Sequence, residues 1–230
     1  MGRLEYAPIK REGNASLWNV TFYQGKLAAL SLALKHKTVI FKTQKSIMSP
    51  ITIRKAEARD YPAIIELQNV NTPDQLSEEE KKQGFIVSSM TEHTLDAINK
   101  NLGVLVALEE GNLAGFVCLT TTDPIPEHPV VKAMYNSFQQ QTFNHKPLTE
   151  YRVFLYGPIL INQKWRGQGI AKKLFYAVKN FTENQYDLGA AFINDKNTHS
   201  LAVHIQGLGM TALRPFTCKN ETFQLVVFPV

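Results

Sequence analysis

The stretch that decides the fold is "YRVFLYGPILINQKWRGQGIAKKLFYAV", residues 151–178. Its first part is an apolar run too continuous for a strand with one exposed face, so we expect a buried strand over residues 153–161. A short polar segment with Gly167 and Gly169 comes next, and the spacing of apolar residues then predicts a helix over 169–181. The stretch therefore predicts a strand, a tight glycine turn and a helix in succession.

The segments on either side extend this pattern into an α/β fold. "LGAAFIN" (188–194) is predicted to be the next strand, and two consecutive strands joined by a helix are parallel. "GVLVALEEGNLAGFVCLTTTD" (103–123) has two apolar runs around a turn rich in Gly and Asn, which is typical of an antiparallel hairpin. We therefore expect a mixed central sheet flanked by helices. The remaining predicted elements are a strand over 51–55, helices near 58–67, 77–83, 92–101 and 197–210, and closing strands over 211–216 and 222–228.

Residues 123–150 interrupt the regular pattern. Three prolines occur within residues 123–129, and a short helix-like piece follows them. We expect this segment to be an irregular insertion on the surface.

The first 47 residues differ from the rest of the chain. They contain eight Lys/Arg and two Asp/Glu, a net charge of +6, whereas the remainder has 25 − 8 = 17 cations and 20 − 2 = 18 anions, a net of −1. Their apolar residues keep no sustained period, and a regular strand pattern begins after Met48. Three interpretations remain open for residues 1–47: an over-extended start with true initiation at Met48, a small accessory element, or a basic targeting peptide. We place the main domain at 48–230.

Composition places the main domain among soluble globular proteins. Hydrophobic residues make up 44% and charged residues 20% of the chain, and no apolar run approaches the roughly 18 residues of a membrane span. Because the basic excess is confined to residues 1–47, the nearly neutral main domain does not predict a nucleic-acid partner. Cys118 and Cys218 lack metal-ligand spacing, so we expect two free thiols in a cytoplasmic protein that holds no metal.

Glycines and positive charge coincide at the start of the helix predicted over 169–181. A helix N-terminus leaves four N–H groups unpaired and carries about half a positive charge, and glycines allow a phosphate to approach that backbone. Lys172 and Lys173 lie in the first turn, where cations oppose the helix dipole unless an anion is present. The segment lacks the Gly-x4-Gly-Lys-Ser/Thr loop, and a dinucleotide motif needs glycine where Lys172 stands. Alone, it predicts either a geometric turn or an anion site.

A longer comparison of motifs favours the anion site. "ILINQKWRGQGIAKKLFYAV" (159–178) resembles the signature of the GNAT superfamily of acyl-CoA N-acyltransferases, whose loop is Arg/Gln-x-x-Gly-x-Gly/Ala. These three positions are occupied by Arg166, Gly169 and Ala171. A second element, Asn197-x-x-Ser200-x-x-x-His204, follows at the family's usual distance. The resemblance covers about residues 51–230 and includes the order of strands and helices.

The resemblance implies an acyl-CoA substrate, namely acetyl-CoA, and the residues that hold it. The pantetheine arm is expected beside the strand that precedes the loop, bonded to backbone groups of Ile159, Leu160 and Ile161. The pyrophosphate is expected on the N–H groups of the loop. The other implied binding residues are Arg166, Gly167, Gln168, Gly169, Ile170, Ala171, Asn197 and Ser200.

The resemblance also implies that an acceptor amine attacks the thioester directly, without an acyl-enzyme on either cysteine. A backbone N–H near Ile161 would polarise the thioester carbonyl. The family often places a tyrosine on the last helix to protonate the departing thiolate. Here His204 stands at that position, where it would donate a proton when charged or bridge through water, or would only pack or cap the helix. The chain is one residue longer than usual between His204 and Gly209, which affects the direction of the imidazole.

The proton acceptor for the amine is left open by the sequence. No acidic residue lies on the strand over 153–161, where the family often has a base. Tyr156 lies within that strand and is kept as a candidate catalytic residue. Other titratable groups nearby are Glu127, His128, His145 and Glu150. Each of these, Tyr156 included, is explained more simply as a surface or core residue.

Two functions from different classes follow. The first is an acetyl-CoA-dependent N-acetyltransferase that acts on a small-molecule or protein amine, as a monomer or a homodimer. The second is a protein of the same fold that binds acyl-CoA as a sensor but has little turnover. The missing acid on the strand and the missing tyrosine on the helix favour this second function. An unrelated nucleotide-binding module is a third interpretation, and it predicts competition by NAD or ATP.

Overall fold

We describe the fold from a computed structural model, which defines residues 49–86 and 89–230. The predicted leader (residues 1–47) and the proposed start at Met48 lie outside these residues. Among the helices of the described part, none is long and apolar enough to cross a membrane.

One large sheet forms the centre of the protein. The strands of the described chain are β1 (Thr52–Lys55), β2 (Gly103–Glu109), β3 (Asn112–Thr121), β4 (Thr142–Phe143), β5 (Lys146–Pro147), β6 (Val153–Ile161), β7 (Leu188–Asn194), β8 (Thr211–Ala212), β9 (Phe216–Cys218) and β10 (Glu221–Pro229). The large sheet has the order β1-β2-β3-β6-β7-β10-β8, and β9 also pairs with β10. β6 and β7 run parallel, while their outer neighbours pair antiparallel to them. The predicted mixed sheet with a central parallel pair is confirmed.

Helices cover both faces of this sheet. They are α1 (Tyr61–Asn69), α2 (Glu78–Lys81), α3 (Glu92–Asn101), α4 (Pro129–Ser137), α5 (Ile170–Thr182) and α6 (Thr198–Ala202). α6 continues into a π-turn over Val203–Gly207, in which the Leu208 N–H donates to the Val203 carbonyl at 2.9 Å. A π-turn takes up one residue more than an α-turn, so it accommodates the extra residue noted between His204 and Gly209.

The closing strands differ from the prediction of one strand over 211–216. β8 ends at Ala212, and β9 begins at Phe216. Pro215 lies between them, and proline has no N–H to donate to a ladder. The chain therefore leaves the sheet and returns to pair with β10 a second time.

Residues 123–150 are more regular and more deeply packed than predicted. They contain α4 and a small hairpin of β4 and β5, whose turn has Asn144 and His145 at positive φ. Met134, Phe138 and Leu148 are buried against β6, β7 and β10. The prediction of an irregular surface insertion is wrong in this respect, because the segment closes part of the core.

The sheet divides the core between two faces. On the α5 face, α5 and the π-turn pack on β6, β7 and β10 around Leu174 and Val178. On the opposite face, called the α1 face, α1 and α3 cover the β1–β3 side and α4 covers the β7–β10 side. Both faces meet at the parallel pair, where the site described next is formed.

Candidate active site

A cleft opens where the two parallel strands separate. β6 and β7 pair only from Val153 to Leu155 and from Leu188 to Ala190. Beyond that point β6 continues to Ile161 with β3 as its partner, and β7 continues with β10. We call the gap between them the cleft, and its closed end beside Leu155 and Ala190 the apex.

A bulge in β6 lies just beyond the apex. The pairing of β6 with β3 shifts register between Val117 and Leu119, opposite Gly157 and Pro158. The shift changes which side chains face α5: Phe154 and Tyr156 do so before it, and Ile159 and Ile161 after it. Proline is tolerated at a bulge because the ladder is interrupted there.

The cleft edge of β6 offers backbone donors. The Asn162 N–H donates to the Ala114 carbonyl of β3 at 2.9 Å. Because successive residues of a strand direct their backbone groups to opposite sides, Leu160 also faces β3, whereas Ile159 and Ile161 face the cleft. Of the three residues predicted to bind the pantetheine arm, Ile159 and Ile161 thus present N–H groups to the cleft, and Leu160 does not.

The segment between β6 and α5 presents a row of free N–H groups. Gly167 and Gly169 have φ of 75° and 77°, a left-handed conformation that glycine adopts without steric cost. A Cβ at either position would meet no atom within 4 Å, so the backbone is open on that side. Within residues 49–86 and 89–230, no hydrogen bond uses the N–H groups of residues 167–172, and the first helical bond is donated by Lys173 to Gly169 at 3.0 Å. We call residues 166–169 the glycine loop.

The glycine loop is held to the sheet by the residues before it. The Trp165 indole donates to the Glu109 carboxylate at 2.7 Å, and the Asn162 side chain accepts from the Lys164 N–H at 3.2 Å. The loop is therefore anchored to the end of β2 before its free donors begin.

The Arg166 side chain is half-buried and bonds to neighbouring parts of the protein. Its Nε donates to the Ile161 carbonyl at 3.1 Å, and its terminal nitrogens approach the Asn71 side chain at 2.8 Å and the Gln83 carbonyl at 3.5 Å. Burial lowers the pKa of Arg166, but a guanidinium remains charged at neutral pH. Arg166, the cation predicted to bind phosphate, thus also connects the glycine loop to Asn71, just after α1. No sequence pattern marked Asn71 or Gln83, which lie far away along the chain.

The electrostatics at the start of α5 favour an anion. The first turn of this helix contains no acidic residue and carries Lys172 and Lys173. Free N–H groups and the helix dipole add partial positive charge at the same place. A phosphate group would satisfy these donors and relieve the unfavourable position of the two lysines.

The second predicted element lies at the end of β7. Asn197 caps α6, because its Oδ1 accepts from the Ser200 N–H at 3.2 Å, and its Nδ2 donates to the Phe85 carbonyl at 3.3 Å. Ser200 lies one turn before His204, with its hydroxyl 3.3 Å from the imidazole Nδ1. Asn197 and Ser200 are therefore brought to the side of the cleft opposite the glycine loop.

His204 is buried in the π-turn and held by its own helix. Its Nδ1 lies 2.7 Å from the Ser200 carbonyl oxygen, which can only accept, so we assign the proton to Nδ1. Burial lowers the pKa of His204, although the bond to the Ser200 carbonyl opposes that shift. A neutral imidazole protonated at Nδ1 has a lone pair at Nε2. This geometry makes neutral His204 a hydrogen-bond acceptor at Nε2, whereas the predicted proton donation needs the charged imidazole, which burial disfavours.

Tyr156 follows the apex directly and faces α5. Its ring packs edge-on against Phe175, Phe228 and His204, with centroids 6.2, 5.4 and 5.9 Å away. Burial raises the pKa of its hydroxyl well above the usual range. The group is therefore protonated at any physiological pH and is not a base.

The other candidate bases lie farther from the cleft. Glu150 is exposed before the start of β6, at the end opposite the glycine loop, and His145 is in the β4–β5 turn. Glu127 forms an ion pair with Lys132. His128 stacks on Phe192 of β7 with centroids 6.5 Å apart. Of these four, His128 is brought beside a strand of the cleft.

The two cysteines lie in strands of the sheet, and Cys118 does not have the environment of a nucleophile. Cys118 is fully buried in β3, with its sulfur 3.9 Å from that of Met90, and burial raises its pKa to about 12. Cys218 is partly buried in β9. Thiolates are reactive when exposed and stabilised by positive charge, which Cys118 lacks.

Comparison with known proteins agrees with this arrangement. The sequence profile described as the "Acetyltransferase (GNAT) family" matches residues 61–210, more than half of the 230-residue chain. The matched segment contains the glycine loop, the cleft strands and α6. No curated protein matches the chain by sequence.

Solved structures share the fold at low sequence identity. A GNAT-family acetyltransferase from Streptococcus agalactiae is 14% identical, with a TM-score of 0.57 over 80% of this chain and 97% of that chain. A Salmonella typhimurium protein solved with its cofactor acetyl-CoA is 14% identical, with a TM-score of 0.51 over 78% and 93%. A ribosomal-protein-alanine N-acetyltransferase from Brucella melitensis is 15% identical, with a TM-score of 0.51 over 78% and 99%. These similarities show the fold.

Proposed function

Because the chain belongs to the GNAT family of acetyltransferases, we propose that it transfers the acetyl group of acetyl-CoA to an amine. The observation that carries this proposal is the row of free N–H groups over residues 167–172, at the open end of the cleft. Two left-handed glycines expose this row, and the first turn of α5 holds cations where acids are usual. These features fit a diphosphate.

The remaining contacts to the substrate are proposed along β6. The N–H groups of Ile159 and Ile161 face the cleft, and that of Ile161, beside the glycine loop, is suited to an amide carbonyl of an extended pantetheine arm. The arm would then lie beside the part of β6 that follows the apex, as β7 lies beside β6 from Val153 to Leu155. Asn197 and Ser200 would line the other side.

The chemistry proposed for the cleft needs few side chains. Bound acetyl-CoA supplies an activated acyl group. Ile161, predicted to polarise the thioester, lies beside the glycine loop, where Arg166 bonds to its carbonyl. The cleft-facing N–H of Ile159, nearer the apex, would instead donate to the thioester oxygen as negative charge develops there, which lowers the barrier to attack by an uncharged amine. His204, neutral with a lone pair at Nε2, is suited to accept a hydrogen bond beside the reacting atoms. The attacking amine would lose its proton to water.

The binding step is tested by calorimetric titration of acetyl-CoA into the full chain and into Gly169→Asp. The new carboxylate would stand beside the diphosphate, so we expect affinity to fall at least about tenfold, or about 1.4 kcal/mol. Gly111→Asp is the matched control, because Gly111 is also exposed, has a φ of 83° and has open space at its Cβ, but lies in the β2–β3 turn. Equal affinity in all three proteins would refute the assignment of the glycine loop.

A second function, acyl-CoA binding without turnover, is favoured by one observation. Neither β6 nor β7 carries a carboxylate along its length, so the cleft strands supply no base. The two functions are separated by release of free CoA thiol in the presence of a panel of amines. Tight binding with no amine-dependent release would support the sensor, and release with any amine would support the transferase.

A further inference from the structure

The Tyr156 ring lies across the apex of the cleft on the α5 face. Tyr156 belongs to β6 and Phe228 to β10, two strands that are separated by β7. Their ring centroids are nevertheless 5.4 Å apart. Contact over the intervening strand is possible because β7 has small residues, Gly189 and Ala191, on this face. The tyrosine therefore covers the point where β6 and β7 begin to part.

The hydroxyl of Tyr156 has no partner in the described part of the chain. It is the one buried side-chain oxygen or nitrogen there that makes no hydrogen bond. Buried hydroxyls are nearly always bonded, because an unsatisfied one costs free energy. An oxygen of this kind at the apex of a substrate cleft points to a partner that arrives with the substrate.

The neighbours of Tyr156 determine what its hydroxyl can do. The rings packed on it come from α5, β10 and the π-turn, and the one titratable member is His204. Since His204 keeps its proton at Nδ1 on the Ser200 carbonyl, its free nitrogen cannot donate. The Tyr156 O–H is thus a side-chain donor without a partner in the described residues, and it lies on the α5 side of the apex.

We propose that the Tyr156 hydroxyl donates a hydrogen bond to the sulfur of bound CoA and keeps its own proton throughout the reaction. The inference rests on the proposed function. As the amine nitrogen forms its bond to the acetyl carbon, the C–S bond breaks and its electron pair passes to sulfur. The O–H stabilises the resulting thiolate, and the proton from nitrogen goes to water. Transfer of the tyrosine proton is disfavoured because it would leave a buried tyrosinate.

The experiment measures the thiol pKa of CoA bound to the full chain, with no acyl acceptor present. Thiolate absorbs in the ultraviolet, so a pH titration of CoA in the presence of saturating protein reports this pKa directly. A hydrogen bond to the thiolate should lower it in the native protein by about one pKa unit relative to Tyr156→Phe. Tyr186→Phe is the matched control, because Tyr186 packs on Phe154 in the same core cluster but stands outside the cleft strands.

Each outcome decides between the interpretations. A lower thiol pKa in the native protein and in Tyr186→Phe than in Tyr156→Phe supports the proposal. The same thiol pKa in all three, with CoA bound, overturns it while leaving the proposed function intact. Failure of the native protein to bind CoA overturns both.

A second measurement uses the ligand-free protein. If the hydroxyl lacks a partner, Tyr156→Phe removes an unsatisfied buried group and should melt at a higher temperature than the native chain. A lower melting temperature would mean that the hydroxyl already has a partner inside the protein, and the proposal would fail.

Discussion

The two strands of the cleft each lead into a helix, and the two strand–helix junctions are built in opposite ways. After β6, the glycine loop leaves the N–H groups of residues 167–172 without a partner among the described residues, and no side chain of those residues caps α5. After β7, Asn197 caps α6 through Ser200 and also bonds to Phe85. We call the first the open junction, because it is accessible to a ligand, and the second the closed junction, because its own residues occupy the donors.

The two junctions are stabilised by different hydrogen bonds. The closed junction has a short-range cap between residues three apart, in addition to the long-range bond from Asn197 to Phe85. The open junction has no cap of this kind within the described residues, and the bonds of Trp165 to Glu109 and of Arg166 to Asn71 hold it to distant parts of the chain. A site that must keep its donors free for an anion is therefore shaped by long-range contacts.

The largest expected effect comes from removing the outside support of the open junction. Arg166→Met deletes the bonds to Ile161, Asn71 and Gln83 and leaves the buried Asn71 amide oxygen unpaired. We expect the free energy of unfolding to fall by about 2–3 kcal/mol, measured by denaturant titration. Acetyl-CoA affinity should fall as well, because the loop loses its position. Arg59→Met, at an exposed site, is the control. Unchanged stability of Arg166→Met would contradict the role given to Arg166 at the open junction.

A smaller effect is expected at the closed junction. Asn197→Ala removes a helix cap and should cost about 1 kcal/mol in thermal or denaturant unfolding. Asn197→Asp keeps the cap on the Ser200 N–H and loses the donation to Phe85, so it separates the two contacts. We expect the aspartate variant to lie between the native protein and the alanine variant. An alanine variant as stable as the native chain would show that the cap contributes nothing.

The smallest effect is expected at the closed end of the parallel pair, far from both junctions. Arg152 precedes β6 and Asp187 precedes β7, and their side chains pair at 2.8 Å. This bond, with one from the Arg152 N–H, lowers the pKa of the Asp187 carboxyl to about 2. An unfolded aspartate titrates near 3.9, so the contribution is present above about pH 4 and is lost as the pH falls toward 2. Because the pair is exposed, the contribution is small.

Melting curves between pH 6 and about 2 check this assignment. Asp187→Asn should melt slightly below the native protein near neutrality, and the difference should vanish at the acid end. Asp96→Asn, which removes a carboxylate paired with Lys100 on α3, serves as the comparison variant. A difference for Asp187→Asn that grows on acidification would have the wrong sign and would refute it.

Local patterns made the open junction predictable from sequence. Strand β6, the left-handed glycines and the start of α5 all follow from neighbouring residues, namely an apolar run, two glycines and a periodic helix. The hairpin turn at Glu110 and Gly111 was predictable for the same reason, and both residues have positive φ. Family resemblance then supplied the chemistry.

Contacts between distant residues were not predictable. The partners of Arg166 are separated from it by up to 95 positions, and no periodicity marks them. The burial of α4 depends on Met134 and Phe138 meeting strands that lie later in the chain. The direction of the His204 imidazole depends on a π-turn, which the extra residue between His204 and Gly209 suggested but did not define. The burial of the Tyr156 hydroxyl results from packing between β6, α5, β10 and the π-turn, so no local sequence pattern could have predicted it.

The bulge in β6 has a consequence for comparing this protein with its relatives. A strand alternates its side chains between two faces, and the extra residue at Gly157–Pro158 reverses that alternation halfway along. Odd-numbered residues lie on the α1 face of the sheet before the bulge and on the α5 face after it. An alignment that runs through this strand without a gap would match core positions to the wrong face whenever a relative lacks the bulge or places it elsewhere. An alignment of β6 should therefore be divided at the bulge, Gly157–Pro158, and the core-facing positions should be identified separately in each half.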